Sequence, residues 1–558
     1  MTRASLKPED QCLQDEETRQ QAIREIDAIG LYQVTMYFII GIPLILSAAY
    51  SMGYTFTAGE VDYRCFVPEC ENSTHSELYP EWIDDAIPKT NRKFESCTRY
   101  AVRDSTNGSS TCSASSFTME KQRCDAWVYD PSERTILNEW DITCDENRWK
   151  LAMVGTANNI GQLIGMIFAG YISDRFGRRT VLTILTTISG VLGIIQSFSV
   201  NYWMFLSFEF LQACASSGMY SSGYILGVEM VGEKRRVLGG AVISSWFGMG
   251  GVILGAATMW LRSWQSQLRL FYITGVLVIF LPTLVPESKR WLVANGRMAD
   301  VEKIHKKMAK MNGFKVDQAK LDIYKELSYS SVRKETRKVQ SVEGVLTLKA
   351  LQRPVLVVRL LACCLCWLTN TFVYYGLSLN SVAIAGDKYT NFMLATIIDT
   401  PANFLGCYLL NRLGRKPTLS AAFLCSGTFC LLIQFVPAGT SYVIPLLLFL
   451  GGKGCISMAF SSSYVYTSEM FPTTARHSLL AICSMTGRIG SILAPQTILL
   501  SSVMESLPLI LFGSMGILAG TASLLFPETL GCKLPDTIAE AENIGKPLPT
   551  KQSPNIVA

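Results

Sequence analysis

Apolar runs long enough to cross a lipid bilayer recur along this chain, and they constrain its fold more than any other feature. A run of roughly 20 apolar residues matches one helical crossing of the hydrocarbon layer. Such runs lie near residues 31–51, 150–171, 180–199, 202–226, 237–260, 269–285, 355–377, 391–411, 418–436, 442–465, 478–501 and 506–526. Each is expected to be an α-helix, because a helix satisfies its own backbone N–H and C=O groups where no water reaches. Composition agrees. Charged residues make up 17% of the 558, against about 25% in a typical soluble protein, and the mean hydropathy is +0.25. A net charge of +5 is too small to point to nucleic acid. Residues 1–30 are polar, with acids at Asp15, Glu16, Glu17, Glu25 and Asp27. That is not a basic start with a short apolar core, so the first run is expected to be retained rather than cleaved.

Two long polar stretches interrupt the series. Residues 52–148 hold 10 Lys or Arg against 18 acids, and residues 287–353 hold 16 Lys or Arg against 8 acids. Basic residues are retained on the cytoplasmic side. Short clusters give the same orientation: Arg175, Arg178 and Arg179 after the second run, Lys234, Arg235 and Arg236 after the fourth, Arg412, Arg415 and Lys416 after the eighth. The expected layout is a cytoplasmic N-terminus (1–30), one span, an extracellular loop (52–148), five spans (150–285), a basic cytoplasmic loop (286–354), six spans (355–526) and a cytoplasmic tail (527–558). The outer loop carries six cysteines, Cys65, Cys70, Cys97, Cys112, Cys124 and Cys144. An even number outside the cell implies a disulfide framework, with 15 possible pairings that spacing does not choose among. It also carries sequons at Asn72 and Asn107, which are glycosylation acceptors only if the loop is outside. The remaining cysteines, such as Cys363, Cys364 and Cys366, read as small packing residues of the spans.

The chain repeats itself. DRFGRR (Asp174, Arg175, Gly177, Arg178, Arg179) follows the second run, and NRLGRK (Arg412, Gly414, Arg415) follows the eighth. GVEMVGEKRR with Glu229 follows the fourth, and TSEMFPTTAR with Glu469 follows the tenth. Each pair is six spans apart, so the fold is expected to be two six-helix halves joined by the basic loop. The glycines permit a tight turn, and the basic residues can meet acids and helix C-termini nearby. These turns are read as conformational latches, with topology-setting charge as the plainer alternative.

At these motifs the chain resembles the major facilitator superfamily. The cysteine-rich loop after the first run, PESKRWL (Pro286 to Leu292) and FPETLGCKLPDT (Phe526 to Thr537) narrow the resemblance to the organic cation, organic anion and carnitine transporter family. YRCFVPEC (Tyr63 to Cys70) is similar to insect-type members that handle zwitterions such as carcinine. The resemblance implies an all-α membrane protein with the major facilitator fold. It also implies a plasma-membrane secondary transporter of small organic ions, most of all zwitterions of the carnitine, carcinine or β-alanine type, or else a polyspecific organic cation or anion carrier.

Charges inside a span are unfavourable by about 2.5–3.5 kcal/mol each on insertion scales, and four stand out: Glu209, Asp399, Lys453 and Arg488. Arg488 can hold a carboxylate by two parallel hydrogen bonds; the plainer reading is an arginine paired to a neighbouring helix. In the family, cation carriers have an aspartate at this place and anion and carnitine carriers an arginine, and GRIGSILAP (Gly487 to Pro495) is like the latter. Asp399, in DTPA, is expected either to face a substrate ammonium, to couple to Arg488, or to be a structural charge beside a break at Pro401. Anion carriers have a lysine shortly after, where this chain has Asn403, which argues against a plain dicarboxylate. Tyr220, Trp246, Trp367 and Tyr374 resemble cage residues of the cation carriers. Aromatic faces attract ammonium groups, although any one tryptophan in a span is more often a packing residue. Lys453, in GGKG, is read as structural. Glu209 stands where the family usually has a basic residue, and the sequence offers it no partner.

Other chemistry is not indicated. His75, His305 and His477 lack metal-ligand spacing, no GxxxxGK[ST] loop is present for ATP, and no cofactor is expected. GMGG (Gly248 to Gly251) lies in a span and suits close helix packing. Partners are therefore a small organic ion and the bilayer, with the outer loop a surface through which copies of the chain can associate. A receptor built on that loop would give the mid-span charges no purpose. An enzyme would need a catalytic constellation, and a sugar carrier lacks the loop and the DTPA/GRIGS pair. The loop placement has a direct test. Glycosidase treatment is expected to increase the gel mobility of the expressed protein, and a double Asn72→Gln, Asn107→Gln variant to run like the treated protein. Unchanged mobility would count against both sites.

Overall fold

The computed structural model describes residues 30–71, 77–90, 93–102, 112, 116–231, 236–313, 351–437, 439–473, 475–532, 534–535 and 537–544. The sequons at Asn72 and Asn107, the basic residues Lys234 and Arg235, His75, both termini and most of the basic connection lie outside them.

Every apolar run lies on a long helix. We number these α1 (Leu31–Met52), α2 (Cys144–Phe176), α3 (Arg178–Gln196), α4 (Tyr202–Glu229), α5 (Arg236–Leu261), α6 (Trp264–Leu284), α7 (Pro354–Asn380), α8 (Lys388–Arg412), α9 (Arg415–Leu432), α10 (Val443–Met470), α11 (Arg476–Leu493) and α12 (Leu507–Ser523). Ten of these helical stretches are long and apolar enough to cross a membrane. The other two are α4, diluted by Glu209, Gln212 and several serines, and α12, which has 17 residues. Local chemistry sets the ends. Asn201 caps α4 by accepting a hydrogen bond from the Met204 N–H (2.8 Å), and Asp387 caps α8 from the Thr390 N–H (2.9 Å). Pro354 opens α7 at its first position. α8 is interrupted at Ile398. Pro401, just beyond, has no N–H to give to the turn before it.

The same pairs pack in each half. α1 lies on α5 as α7 lies on α11; α2 and α3 lie on α4 as α8 and α9 lie on α10; α3 meets α6 as α9 meets α12. This is the duplication seen in the motifs, now as packing. The halves meet through α5 against α8 and α2 against α11. In the first of these seams a Cβ at Gly251 would stand 2.7 Å from Thr396 Cγ2, and Gly248 faces Thr400 at 3.2 Å. The GMGG run therefore serves close approach between halves. Toward the end that carries the long loop, Gln496 Nε2 donates to Thr156 Oγ1 (2.7 Å), and Thr156 Oγ1 to Ile492 O (3.4 Å). There Phe56 also stacks on Tyr389 and meets Phe392 edge-on.

The loop folds as three two-stranded antiparallel ribbons: β1 (Tyr63–Cys65) with β6 (Trp127–Tyr129), β2 (Lys89–Thr90) with β3 (Lys93–Phe94), and β4 (Thr98–Val102) with β5 (Phe117–Arg123). Its core is small, built on Val67, Ile83, Ala86, Ile87 and Phe117. Three disulfides compensate: Cys65–Cys124, Cys70–Cys112 and Cys97–Cys144. A buried Arg64–Glu71 pair (2.6 and 2.7 Å, two parallel bonds) adds to it. The third disulfide anchors the loop to the first turn of α2. Glu133 reaches the other half, accepting from the Tyr389 hydroxyl (2.8 Å) and pairing with Lys388. Peptide mapping without reduction is expected to recover these three cross-links, and any other connectivity would overturn the assignment.

Candidate functional site

The repeated turns at the end remote from the loop are held by carboxylates. Gly177 and Gly414 adopt φ of +97° and +109°. That conformation suits glycine, and a Cβ at either would run into the carboxylate of Glu287 or Glu528. Those carboxylates cap the helices that follow. Glu287 accepts from the N–H of Arg179 (2.8 Å) and Thr180 (3.3 Å), and Glu528 from the N–H of Arg415 (2.9 Å) and Lys416 (3.1 Å). Burial pushes the Glu528 carboxyl up, but N–H bonds from Arg415, Leu530, Lys416 and Thr529 outweigh it and hold the group below the usual carboxylate range. Glu287 stands in PES and Glu528 in PET, a repeat whose role the motif reading missed.

Around these caps the halves differ. In the second, Arg415 binds Glu469 (3.1–3.3 Å) and the Leu410 carbonyl (3.0 Å), and Thr529 donates to Glu469 (2.7 Å). In the first, Arg178 pairs with Asp174 (2.7 Å) and the Ser173 carbonyl (2.9 Å), while Glu229 accepts from Ser288. The second half has Asn411 where the first has Asp174, so its arginine turns to the glutamate. Arg175 and Arg412 stand apart from both clusters, against Tyr171 and Tyr408. The latch residues thus clamp each half internally. The exposed Asp174–Arg178 pair is worth at most about 1 kcal/mol, so Glu287 holds the turn.

Midway along the bundle lie the four span charges. Asp399 (6% exposed) and Lys453 (0%) form a buried pair, Nζ to Oδ1 3.9 Å. Asp399 accepts from the Tyr374 hydroxyl (2.7 Å) and from Ser457. Lys453 donates to Ser378 (2.7 Å) and the Tyr374 carbonyl (3.2 Å) and sits 3.2 Å from the Tyr374 ring centroid. Coupling of Asp399 to Arg488 is therefore corrected: its cation is Lys453. Low dielectric forces the pairing, since either charge alone would be uncompensated.

Arg488, on α11, instead reaches across to the first half and donates to Gln162 Oε1 of α2 (3.2 Å), a neutral amide. Around it stands an aromatic wall. Trp367 is buried, donates to Thr467 (3.0 Å) and meets Tyr464 edge-on at 4.5 Å. Tyr374 meets Phe460 and Tyr375. Tyr220, from the other half, bonds Ser244 (3.3 Å), stacks on Tyr224 and meets Phe247 edge-on. Trp246 is not brought into this group. It lies against Gly41 and Phe38 of α1, with its buried indole N–H unpartnered. Tyr464, Tyr375, Phe460 and Gln162 were missed in the sequence; among many aromatics and amides in spans, only their folded contacts, with Trp367 and Tyr374 for the rings and with Arg488 for Gln162, single them out. Toward the loop a cavity of ≈ 510 Å³ opens between the halves, lined by Tyr54, Glu133, Arg148, Gln267, Lys388 and Pro495 among others.

Residues 132–495 and 355–550 match the family described as Major Facilitator Superfamily. The chain is 31% identical over 522 residues to organic cation/carnitine transporter 2 of Rattus norvegicus, with 91% of each chain covered. It is 29% identical over 531 residues to the organic cation transporter protein of Drosophila melanogaster, with 94% of each covered. Among solved structures, the xylose transporter XylE from E. coli superposes with a TM-score of 0.59 over 89% of this chain and 99% of that one, at 14% identity, a likeness of fold.

The buried pair can be tested by a mutant cycle. Lys453→Met is expected to destabilise the protein by about 3–5 kcal/mol, because it strands Asp399. Adding Asp399→Asn should recover most of that loss in a detergent melting assay. Two independent, additive losses would refute the pairing.

Proposed function

The chain belongs to the Major Facilitator Superfamily and, within it, to the organic cation/carnitine transporter family, and from that premise we propose that it is a plasma-membrane secondary transporter of small zwitterions. One observation carries the substrate class. Arg488 is a cation in the middle of the bundle whose hydrogen-bond partner is a neutral amide, and no acidic partner meets it among the described residues. A substrate carboxylate supplies that missing charge through two parallel hydrogen bonds. Asp399, already matched by Lys453, does not.

The other end of the substrate meets aromatic faces. Tyr464, Tyr375, Tyr220 and Tyr374 offer π surfaces worth about 0.5–2 kcal/mol each to an ammonium group. The Tyr374 hydroxyl donates to Asp399, so its ring is polarised toward a cation. A small ammonium carboxylate of the carnitine, carcinine or β-alanine type thus has a partner for each of its charges. The names of the similar rat and fly proteins, organic cation/carnitine transporter 2 and organic cation transporter protein, support this class.

We read the cysteine-rich loop as extracellular and both termini as cytoplasmic. Three disulfides suit an oxidising compartment, and the basic clusters suit the cytoplasmic side. Transport runs on the substrate's gradient, on exchange or on ion coupling.

The test is uptake in oocytes with carnitine, carcinine, β-alanine, a quaternary ammonium lacking an acid, and a dicarboxylate. Arg488→Ala is expected to lower zwitterion uptake roughly 10- to 100-fold, the equivalent of a charge-assisted bond of about 1.5–3 kcal/mol. Arg488→Asp should shift preference to simple cations. Equal uptake of the quaternary ammonium and carnitine by the natural protein, both untouched by Arg488→Ala, would sink the proposal.

A further inference from the structure

Glu209 is a charge in the membrane layer that neither the turns nor the aromatic wall uses. It is 3% exposed, and the bonds to its carboxylate come from neutral amides. Asn158 Nδ2 of α2 donates to Oε1 (2.6 Å), Gln196 Nε2 of α3 to Oε2 (2.6 Å), and Gln212 Nε2 of α4 itself to Oε1 (3.3 Å). The titratable groups that face it are phenols, Tyr50 of α1, Tyr54 just after it and Tyr272 of α6. Arg269 of α6 is turned outward onto Phe198 and Ser197. An uncompensated carboxylate in low dielectric is short of one positive charge.

Two further observations point to what supplies it. The amide oxygens Gln196 Oε1 and Gln212 Oε1 are buried without a partner, on side chains that are 0% exposed. Protonated, Glu209 becomes an O–H donor and needs an acceptor where a donor now stands. A flip of the Gln196 amide provides one without breaking any bond to its oxygen. Beside the carboxylate lies a cavity of ≈ 10 Å³, lined by Tyr50, Gly53, Tyr54, Thr57 and Gln267, about the room that one water needs. Tyr54 and Gln267 also line the ≈ 510 Å³ cavity toward the loop, so these two side chains separate Glu209's small cavity from the larger one.

The donors form a directed chain. Arg488 donates to Gln162 (3.2 Å), Gln162 Nε2 to Asn158 Oδ1 (2.7 Å), and Asn158 Nδ2 to Glu209 (2.6 Å). Two amide dipoles thus join the free cation of one half to the free anion of the other. We propose that Glu209 is a proton-binding site coupled through Asn158 and Gln162 to Arg488, so that a proton and the substrate carboxylate are taken up together and carried in the same direction. A hydronium ion in the small cavity gives its proton to the Glu209 carboxylate and leaves as water. The chain then loses its charged acceptor, Arg488 is released from α2, and its charge is met by the substrate. The same chain bridges α2 and α11, so its loss also loosens the seam that closes the loop end.

The coupling half of this proposal rests on the substrate reading above, and the experiment separates the two. In proteoliposomes carrying a lumenal pH dye, carnitine is the probe. Acid outside is expected to stimulate uptake, and uptake to acidify the lumen. Glu209→Gln should lower both roughly tenfold, the loss expected of one charge-assisted link, while exchange of labelled for unlabelled carnitine persists and shows the protein is folded. Gln162→Leu should abolish the acid stimulation while proton binding remains. Proton binding itself is read without substrate. The pH-difference infrared spectrum should show a protonated-carboxyl C=O band that Glu209→Gln removes and Gln162→Leu keeps. If carnitine is not carried but the band is present, the substrate reading fails and the proton site stands. Absence of the band, acid stimulation intact in Glu209→Gln, or coupling that follows sodium instead of protons would overturn the proposal.

Discussion

A charge in the hydrocarbon layer has no water to screen it, and the centre of this molecule is arranged by that fact. The four span charges find three different answers. Asp399 and Lys453 meet each other and share Tyr374. Glu209 is solvated by three amides. Arg488 reaches only Gln162. The first pair lies wholly within the second half and can keep its contacts through any motion of one half against the other. The remaining anion and cation lie in different halves, joined by a chain that lasts only while α2 and α11 stay together. Of the hydrogen bonds to these four charges among the described residues, the one from Arg488 to Gln162 crosses the seam.

The duplicated architecture repeats one device. Each half's turn is capped from its own last helix: Glu287 follows α6 and Glu528 follows α12, and each closes the helix that begins after the glycine turn. The caps tie the third helix of each half to its sixth at the membrane boundary, where backbone N–H groups would otherwise lack partners. The broken symmetry is equally physical. With an aspartate four residues before Arg178, a local pair forms. With Asn411 in that place, Arg415 goes to Glu469 on a neighbouring helix.

The loop does more than cover the bundle. Its third disulfide fixes it to α2, and Glu133 fixes it to Lys388 and Tyr389 at the start of α8. A folded unit stapled to one half and ion-paired to the other sits over the cavity that leads inward. Its lining mixes Glu60, Glu133, Arg148 and Lys388. These charges are paired with one another, Arg148 with Glu60 and Lys388 with Glu133.

The sequence by itself determined the helices, the duplication, the positions of the turns and the identity of the four span charges. Those properties are local. A 20-residue apolar run has one way to satisfy its backbone in lipid, and a glycine between basic residues at a helix end marks a turn wherever it occurs. Tertiary structure alone decided who pairs with whom. Lys453 rather than Arg488 takes Asp399, Trp246 turns to α1 while Tyr464 and Tyr375 join the wall, and Gln162 meets Arg488 across 326 residues of chain. Six cysteines were legible as a framework, but their pairing waited on which ribbons lie side by side. Side-chain partners depend on the rotation and depth of one helix against another. Those are fixed by close packing at positions such as Gly248 and Gly251, summed over the whole bundle, and no stretch of sequence encodes them on its own.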